Sequence, residues 1–230
     1  MTQVGTDPSR VSGRVPGWEP PPVQASGKSA VVRTGPSGLV LGRSTRGAEV
    51  AIRLFRPQGT RILLDLPDYA TWLVAFRAMC LGAHLSVISE DHRGWRGLAA
   101  AFSEAGGTID LLRRAEKLPT QGRPYRPSLV IDDAASFDGT QAPIGAWQAM
   151  VTLTSTATGS AVHALRNCDM ALIGQVSGKS VDNLRRAYVL TSQQTKVFDD
   201  LGSAVVLAMP RRAVRIEFPP TQTEYRLLFG

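Results

Sequence analysis

Residues Arg61 to Ser89 read RILLDLPDYATWLVAFRAMCLGAHLSVIS. An apolar run comes first, Arg61 to Leu66, and Pro67 breaks it. Trp72, Leu73, Phe76, Met79 and Cys80 then recur at helical spacing until Gly82, and a second short apolar run occupies 83–89. Strand, helix and strand in that order form the unit from which parallel sheets are built.

The alternation continues downstream. A helix is expected over Arg93–Phe102 and a weaker strand over Thr108–Leu112. Ser128–Asp133 (SLVIDD) and Ala149–Ser155 (AMVTLTS) are nearly continuous apolar runs, as in parallel strands covered on both faces. A helix over 159–167, a strand over Met170–Gly174 and a helix over Ser192–Gly202 follow, and 203–209 and 213–218 read as an antiparallel hairpin joined by Pro210-Arg211-Arg212. The predicted fold class is therefore α/β, a mostly parallel sheet with helices on both faces over 59–230, ending in a C-terminal antiparallel hairpin. Upstream, β-type runs at 29–34, 38–44 and 48–55 predict a small N-terminal β-hairpin flap at 29–58. Residues 1–28 carry Pro8, Pro16, Pro20, Pro21 and Pro22 among scattered Gly and Ser. They hold too little apolar surface to offset the entropy of ordering, so a disordered tail acting as a tether is expected.

With 230 residues, 43% apolar and 20% charged, the chain can bury a proper core. No apolar run approaches the roughly 20 residues that span a bilayer, and the start lacks the apolar stretch of a signal peptide. A cytoplasmic protein is expected, with peripheral association at the inner membrane left open. Cys80 and Cys168 lie far apart in apolar stretches and are expected to be buried thiols, with neither disulfide nor zinc site indicated. The net charge of +7 permits acidic partners, anionic headgroups or nucleic acid. Basic residues are spread along the chain, however, in short pairs such as Arg113-Arg114, Arg185-Arg186 and Arg211-Arg212, which argues against a nucleic-acid interface.

This order of elements resembles the core of the FtsK/HerA-type ATPases, the superfamily that contains DNA translocases, conjugative ATPases and the motor of type VII secretion. The resemblance is carried by Arg61–Ser89 as first strand, P-loop helix and second strand. PSLVIDD (127–133) stands for the Walker B strand, MVTLTSTATGSAVHALRNCDMALIG (150–174) for the next strand, helix and strand, and 199–230 for the terminal hairpin and tail. Together with the start GLVLGRS…IRLFRP, the arrangement also looks like small Walker-less proteins of actinobacterial type VII secretion neighbourhoods. It implies a P-loop NTPase-like core, which by itself carries no function.

The residues that would do the chemistry depart from the family pattern. In an active relative the P-loop lies where this chain has LDLPDYATWL (64–73), which holds no glycine and no lysine. Asp65 and Asp68 place negative charge where phosphates would bind. Asp132 and Asp133 match the Walker B position, where carboxylates hold Mg²⁺ and orient water; the alternative is that one of them caps the turn or helix at 134–139. A second candidate is LIGQVSGKSVDNL (172–184). A P-loop needs G-x-x-x-x-G-K-[ST] between strand and helix, and here Gly174 and Gly178-Lys179-Ser180 stand one residue too close. No strand downstream ends in aspartate and no N-K-x-D motif occurs. The structural account is that Gly174 lets the chain leave the sheet, Gly178 makes a turn and Ser180 caps the helix 181–190. Ser155 and Thr156 lie where a strand enters a helix, placed either for a ligand phosphate or for capping. His84, His92 and His163 lack metal-site spacing.

The favoured expectation is a non-catalytic accessory protein of a type VII secretion-like system, a pseudo-ATPase needing no cofactor. It would bind a protein partner such as a secretion ATPase or channel component. The oligomeric state is left open. One alternative is a nucleotide-binding protein or weak NTPase using Gly174, Gly178, Lys179 and Ser180 with Asp132 and Asp133. A second is a basic nucleic-acid-associated protein.

Overall fold

The computed structural model describes residues 38–104, 106–113, 121–133, 143–174 and 176–229. The expected tail at 1–28, the strand run at 29–34 and the expected capped turn at 134–139 lie outside the described residues. Ten strands form one sheet in the order β2-β1-β10-β9-β8-β3-β7-β6-β4-β5. They are β1 (Leu39–Ser44), β2 (Glu49–Ile52), β3 (Thr60–Asp65), β4 (His84–Ser89), β5 (Ile109–Leu112), β6 (Ser128–Asp133), β7 (Gln148–Leu153), β8 (Met170–Ile173), β9 (Val205–Met209) and β10 (Arg212–Glu217). The six strands from β8 to β5 are mutually parallel, and β9, β10, β1 and β2 continue the sheet antiparallel. The N-terminal hairpin β1–β2 is thus attached to the C-terminal hairpin β9–β10.

Alternation along β3 serves two cores. Ile62 and Leu64 face one side of the sheet, where they pack with helix α1 (Asp68–Cys80), helix α2 (Arg93–Glu104) and Leu228 of helix α6 (Gln222–Phe229). Leu63 faces the other side, with helix α3 (Ala161–Arg166) and helix α4 (Gly178–Tyr188). Helix α1 buries Ala70, Leu73, Val74, Ala75, Phe76 and Ala78 because it is roofed by other elements: Trp72 stacks on Phe229 and Phe76 meets Phe102. The helix stops at a Schellman turn, in which Gly82 (φ +83°) donates to the Met79 carbonyl and Ala83 to the Ala78 carbonyl.

Three local expectations are corrected. Helix α4 begins at Gly178 and its cap is Ser177, whose Oγ accepts from the Ser180 N–H at 3.2 Å; Ser180 is inside the first turn and buried. Ser177 has the extended backbone a cap requires, three residues ahead of the amide it satisfies. The helix expected over 192–202 is one short turn, α5 (Ser192–Thr195), closed by a Thr191–Gln194 capping box and followed by a 3₁₀ turn at Lys196–Phe198. Cys80 is exposed, because it is the last residue of α1 where the helix emerges from the core, whereas Cys168 is buried.

Candidate functional site

Numbering the five central parallel strands by their order in the chain gives the arrangement 5-1-4-3-2. From β3 the chain crosses by α1 to β4, past β7 and β6. From β7 it crosses by α3 to β8, past β3 in the opposite direction. The carboxyl ends of β3 and β7 are therefore the topological switch point, where open α/β sheets form their ligand crevice.

In this protein the crevice is stapled. Asp65, the last residue of β3, accepts through Oδ2 from both the backbone N–H and the Oγ of Thr156, each at 2.6 Å. Thr156 is fully buried. Its carbonyl accepts from Asn183 Nδ2 at 2.8 Å, and the same amide donates to the Thr158 carbonyl at 3.0 Å, tying the loop after β7 to helix α4. On the other flank Gly174 donates to the Asp65 carbonyl at 2.9 Å. A Cβ at Gly174 would lie 3.0 Å from Leu66 Cδ2 and 3.1 Å from Pro67 Cδ, so a larger residue there would have to push the β3–α1 turn aside by a few tenths of an ångström. That turn is Leu66-Pro67 alone. Two residues, one lacking an N–H, cannot wrap a phosphate chain.

Beside the staple is a cleft of about 160 Å³ lined by Asp68, Asp91, Asp133, Trp72 and Trp95. Trp95 is buried and donates its Nε1–H to Asp133 Oδ2 at 2.6 Å, and Ser89 Oγ donates to the same oxygen at 3.3 Å. The Arg93 guanidinium holds the Asp91 carboxyl down at about 2 through hydrogen bonds of 2.7 to 3.0 Å. Three carboxylates thus line the cleft, and the one nearest cationic side chains, Asp91, is already held by Arg93 with Arg96 close by.

The candidate residues do not converge. Asp132 and Asp133 end β6, while Gly174 follows β8 and Gly178, Lys179 and Ser180 open α4. Strands β7 and β3 stand between, three strand spacings or about 14 Å. Lys179 is exposed and the Ser180 N–H is spent on the helix cap. The histidines make structural contacts: His84 with Asp110 at 2.7 Å, His92 with the Leu112 carbonyl at 3.0 Å and His163 with Asn167 at 3.2 Å. Among the described residues no group of His, Cys, Asp and Glu is arranged to hold a metal ion.

The Asp65–Thr156–Asn183 network escapes sequence reasoning because its members are 91 and 27 residues apart. The Arg77–Glu224 pair, with Nε to Oε1 at 2.6 Å and side chains only 14% and 11% exposed, escapes for the same reason. Arg77 also donates to the carbonyls of Val40, Leu41 and Pro219, joining α1 to both hairpins and α6. Burial raises the Glu224 carboxyl, and the hydrogen bonds from Arg77 and Thr221 more than offset this, leaving it below the ordinary value.

No family model and no curated protein sequence matches the chain. Among solved structures it is similar to VirB4 of Thermoanaerobacter pseudethanolicus, with a TM-score of 0.59 at 8% identity over 84% of this chain and 100% of that one. It is also similar to the pCW3 conjugation coupling protein TcpA in a monomer form with ATPγS, with a TM-score of 0.50 at 9% identity over 77% of this chain. The chain spans 64% of the TcpA chain. At such identities the likeness establishes the fold alone: an α/β fold built on a mostly parallel sheet.

Proposed function

We propose that this protein is a non-catalytic, ATPase-like accessory module that binds a protein component of a secretion or conjugation machine. The carrying observation is the Asp65–Thr156 staple across the switch point, which puts a carboxylate and a two-residue turn where a nucleotide-binding relative keeps its phosphate loop. An unmade active site leaves the surface of the fold as its useful part. The likeness to VirB4 and to a conjugation coupling protein supports the class of machine. The finer placement in an actinobacterial type VII system, beside its ATPase or channel, rests on the sequence resemblance. A cytoplasmic position, peripheral to the inner membrane when docked, follows from that placement; no helix among the described residues is long and apolar enough to cross a membrane.

The test is co-purification of the tagged protein from cells that co-express a secretion-type ATPase or channel component. Retention of one of them by wild type and by Lys179→Ala alike is expected. Loss of retention in a folded Lys179→Ala variant would contradict the proposal.

A further inference from the structure

We infer that the groove between the tip of the β1–β2 hairpin and strand β10 is the docking site for an acidic, extended segment of a protein partner. The inference deepens the accessory role proposed above and rests on it. Strand β1 registers with β10 only at Arg43↔Glu217 and Ser44↔Ile216. Beyond that point the hairpin turns back, with the Ser44 N–H bonded to the Ala48 carbonyl, while β10 continues as Arg212–Arg215. Arg212–Arg215 thus have β9 on one side and, on the other, a groove of about 950 Å³. A strand edge facing an open groove is a template for a further strand, whose main-chain bonds supply affinity while side-chain pockets supply selectivity.

The groove's chemistry selects the occupant. Its floor includes Val50, Leu207, Met209 and Val214, and its rim carries Arg46, Arg53, Lys196 and Arg212, all exposed. These four have no ion-pair partner among the described residues, whereas Arg56 is paired with Asp169 at 2.9 Å and Arg215 is spent on the carbonyls of Asp199, Asp200 and Leu201. Glu49 is the one acidic side chain among those lining the groove. Acidic side chains on an extended segment match the basic rim and apolar ones the apolar floor. Nucleic acid fits less well: no Phe, Tyr or Trp lines the groove to stack a base. A flat membrane surface cannot enter a concave one.

The test uses the full-length protein and a fluorescein-labelled octapeptide of alternating valine and glutamate, read by fluorescence anisotropy at low and moderate salt. Saturable binding is expected, weakened at least tenfold in both Arg53→Glu/Arg212→Glu and Arg46→Glu/Lys196→Glu. The reversal Arg185→Glu/Arg186→Glu on α4 is expected to leave it unchanged. N-methylation of alternate peptide amides should also weaken binding, which a purely ionic contact would not show. Circular dichroism confirms folding, and the second pair, with Arg46 in a turn, keeps the test valid if the first is unstable. Equal loss from the α4 reversal, equal binding of a valine–lysine peptide, indifference to N-methylation, or tighter capture of oligo-dT or phosphatidylserine vesicles lost in the same variants would each overturn the inference. Nucleotide binding is measured separately, so a failed groove with no nucleotide binding leaves the accessory reading standing, and nucleotide binding removes that reading whatever the groove does.

Discussion

Asp65→Ala removes the acceptor that holds the two sides of the switch point together. Thr156 loses two bonds of 2.6 Å to a carboxylate, and its fully buried N–H is left without a partner. Hydrogen bonds to charged groups contribute about 1.5–3 kcal/mol each, and an orphaned buried donor costs about 1–3 kcal/mol. Because Asp65 is itself partly exposed, water can enter the space it vacates and relieve the orphaned donor, so the lower end of the two bonds' sum applies, about 3 kcal/mol. For a chain of this length each kcal/mol shifts Tm by about 2–4 °C, which predicts a fall of about 6–12 °C. Thr156→Val keeps the N–H bond and should lose about half as much. The double variant should lose clearly less than the sum, since the two side chains act on each other. The assay is urea and thermal unfolding followed by circular dichroism. An Asp65→Ala protein melting within about 1 °C of wild type would refute the staple, because such a shift is well under 1 kcal/mol.

Glu224→Gln leaves the Arg77 charge buried without its counter-ion and should cost about 2–4 kcal/mol, below the usual 3–5 because three carbonyls still accept from Arg77. The folded Glu224 value lies below the ordinary 4.5, so its contribution is fully present above that value and is lost as pH falls through the folded value; the variant should show a flatter acid limb in unfolding titrations below about pH 4.5. Burial pushes the Cys168 thiol up to about 12. One thiol, the exposed Cys80, should therefore react with a disulfide reagent at pH 8 in native protein and two in urea. Ser177→Ala should cost about 0.5–2 kcal/mol through loss of the α4 cap, while Ser180→Ala leaves that cap in place.

The parallel core was legible because its signals are local. Arg61–Ser89 shows the period change from strand to helix to strand, and SLVIDD shows the unbroken apolarity of a strand covered on both faces. The terminal hairpin was legible from two β-type runs about Pro210-Arg211, where Arg211 takes φ +60°. What stayed hidden depends on distant pairs or on the choice between neighbouring equivalents. Ser177 and Ser180 are both good capping residues, and only the backbone of Ser177 shows which one caps. The attachment of β1 to β10 joins residues more than 170 apart in the chain. The candidate site was half legible: that 64–73 hold no glycine and no lysine could be read, but not that Thr156 occupies Asp65 and Trp95 occupies Asp133.

Whether a nucleotide site operates in this fold is decided by calorimetric titration with ATP, ADP and GTP, with and without Mg²⁺. No saturable heat is expected at millimolar nucleotide for wild type, Lys179→Ala or Asp133→Asn. Saturable binding by wild type that disappears in Lys179→Ala would contradict that expectation and make Gly174–Ser180 a working phosphate loop.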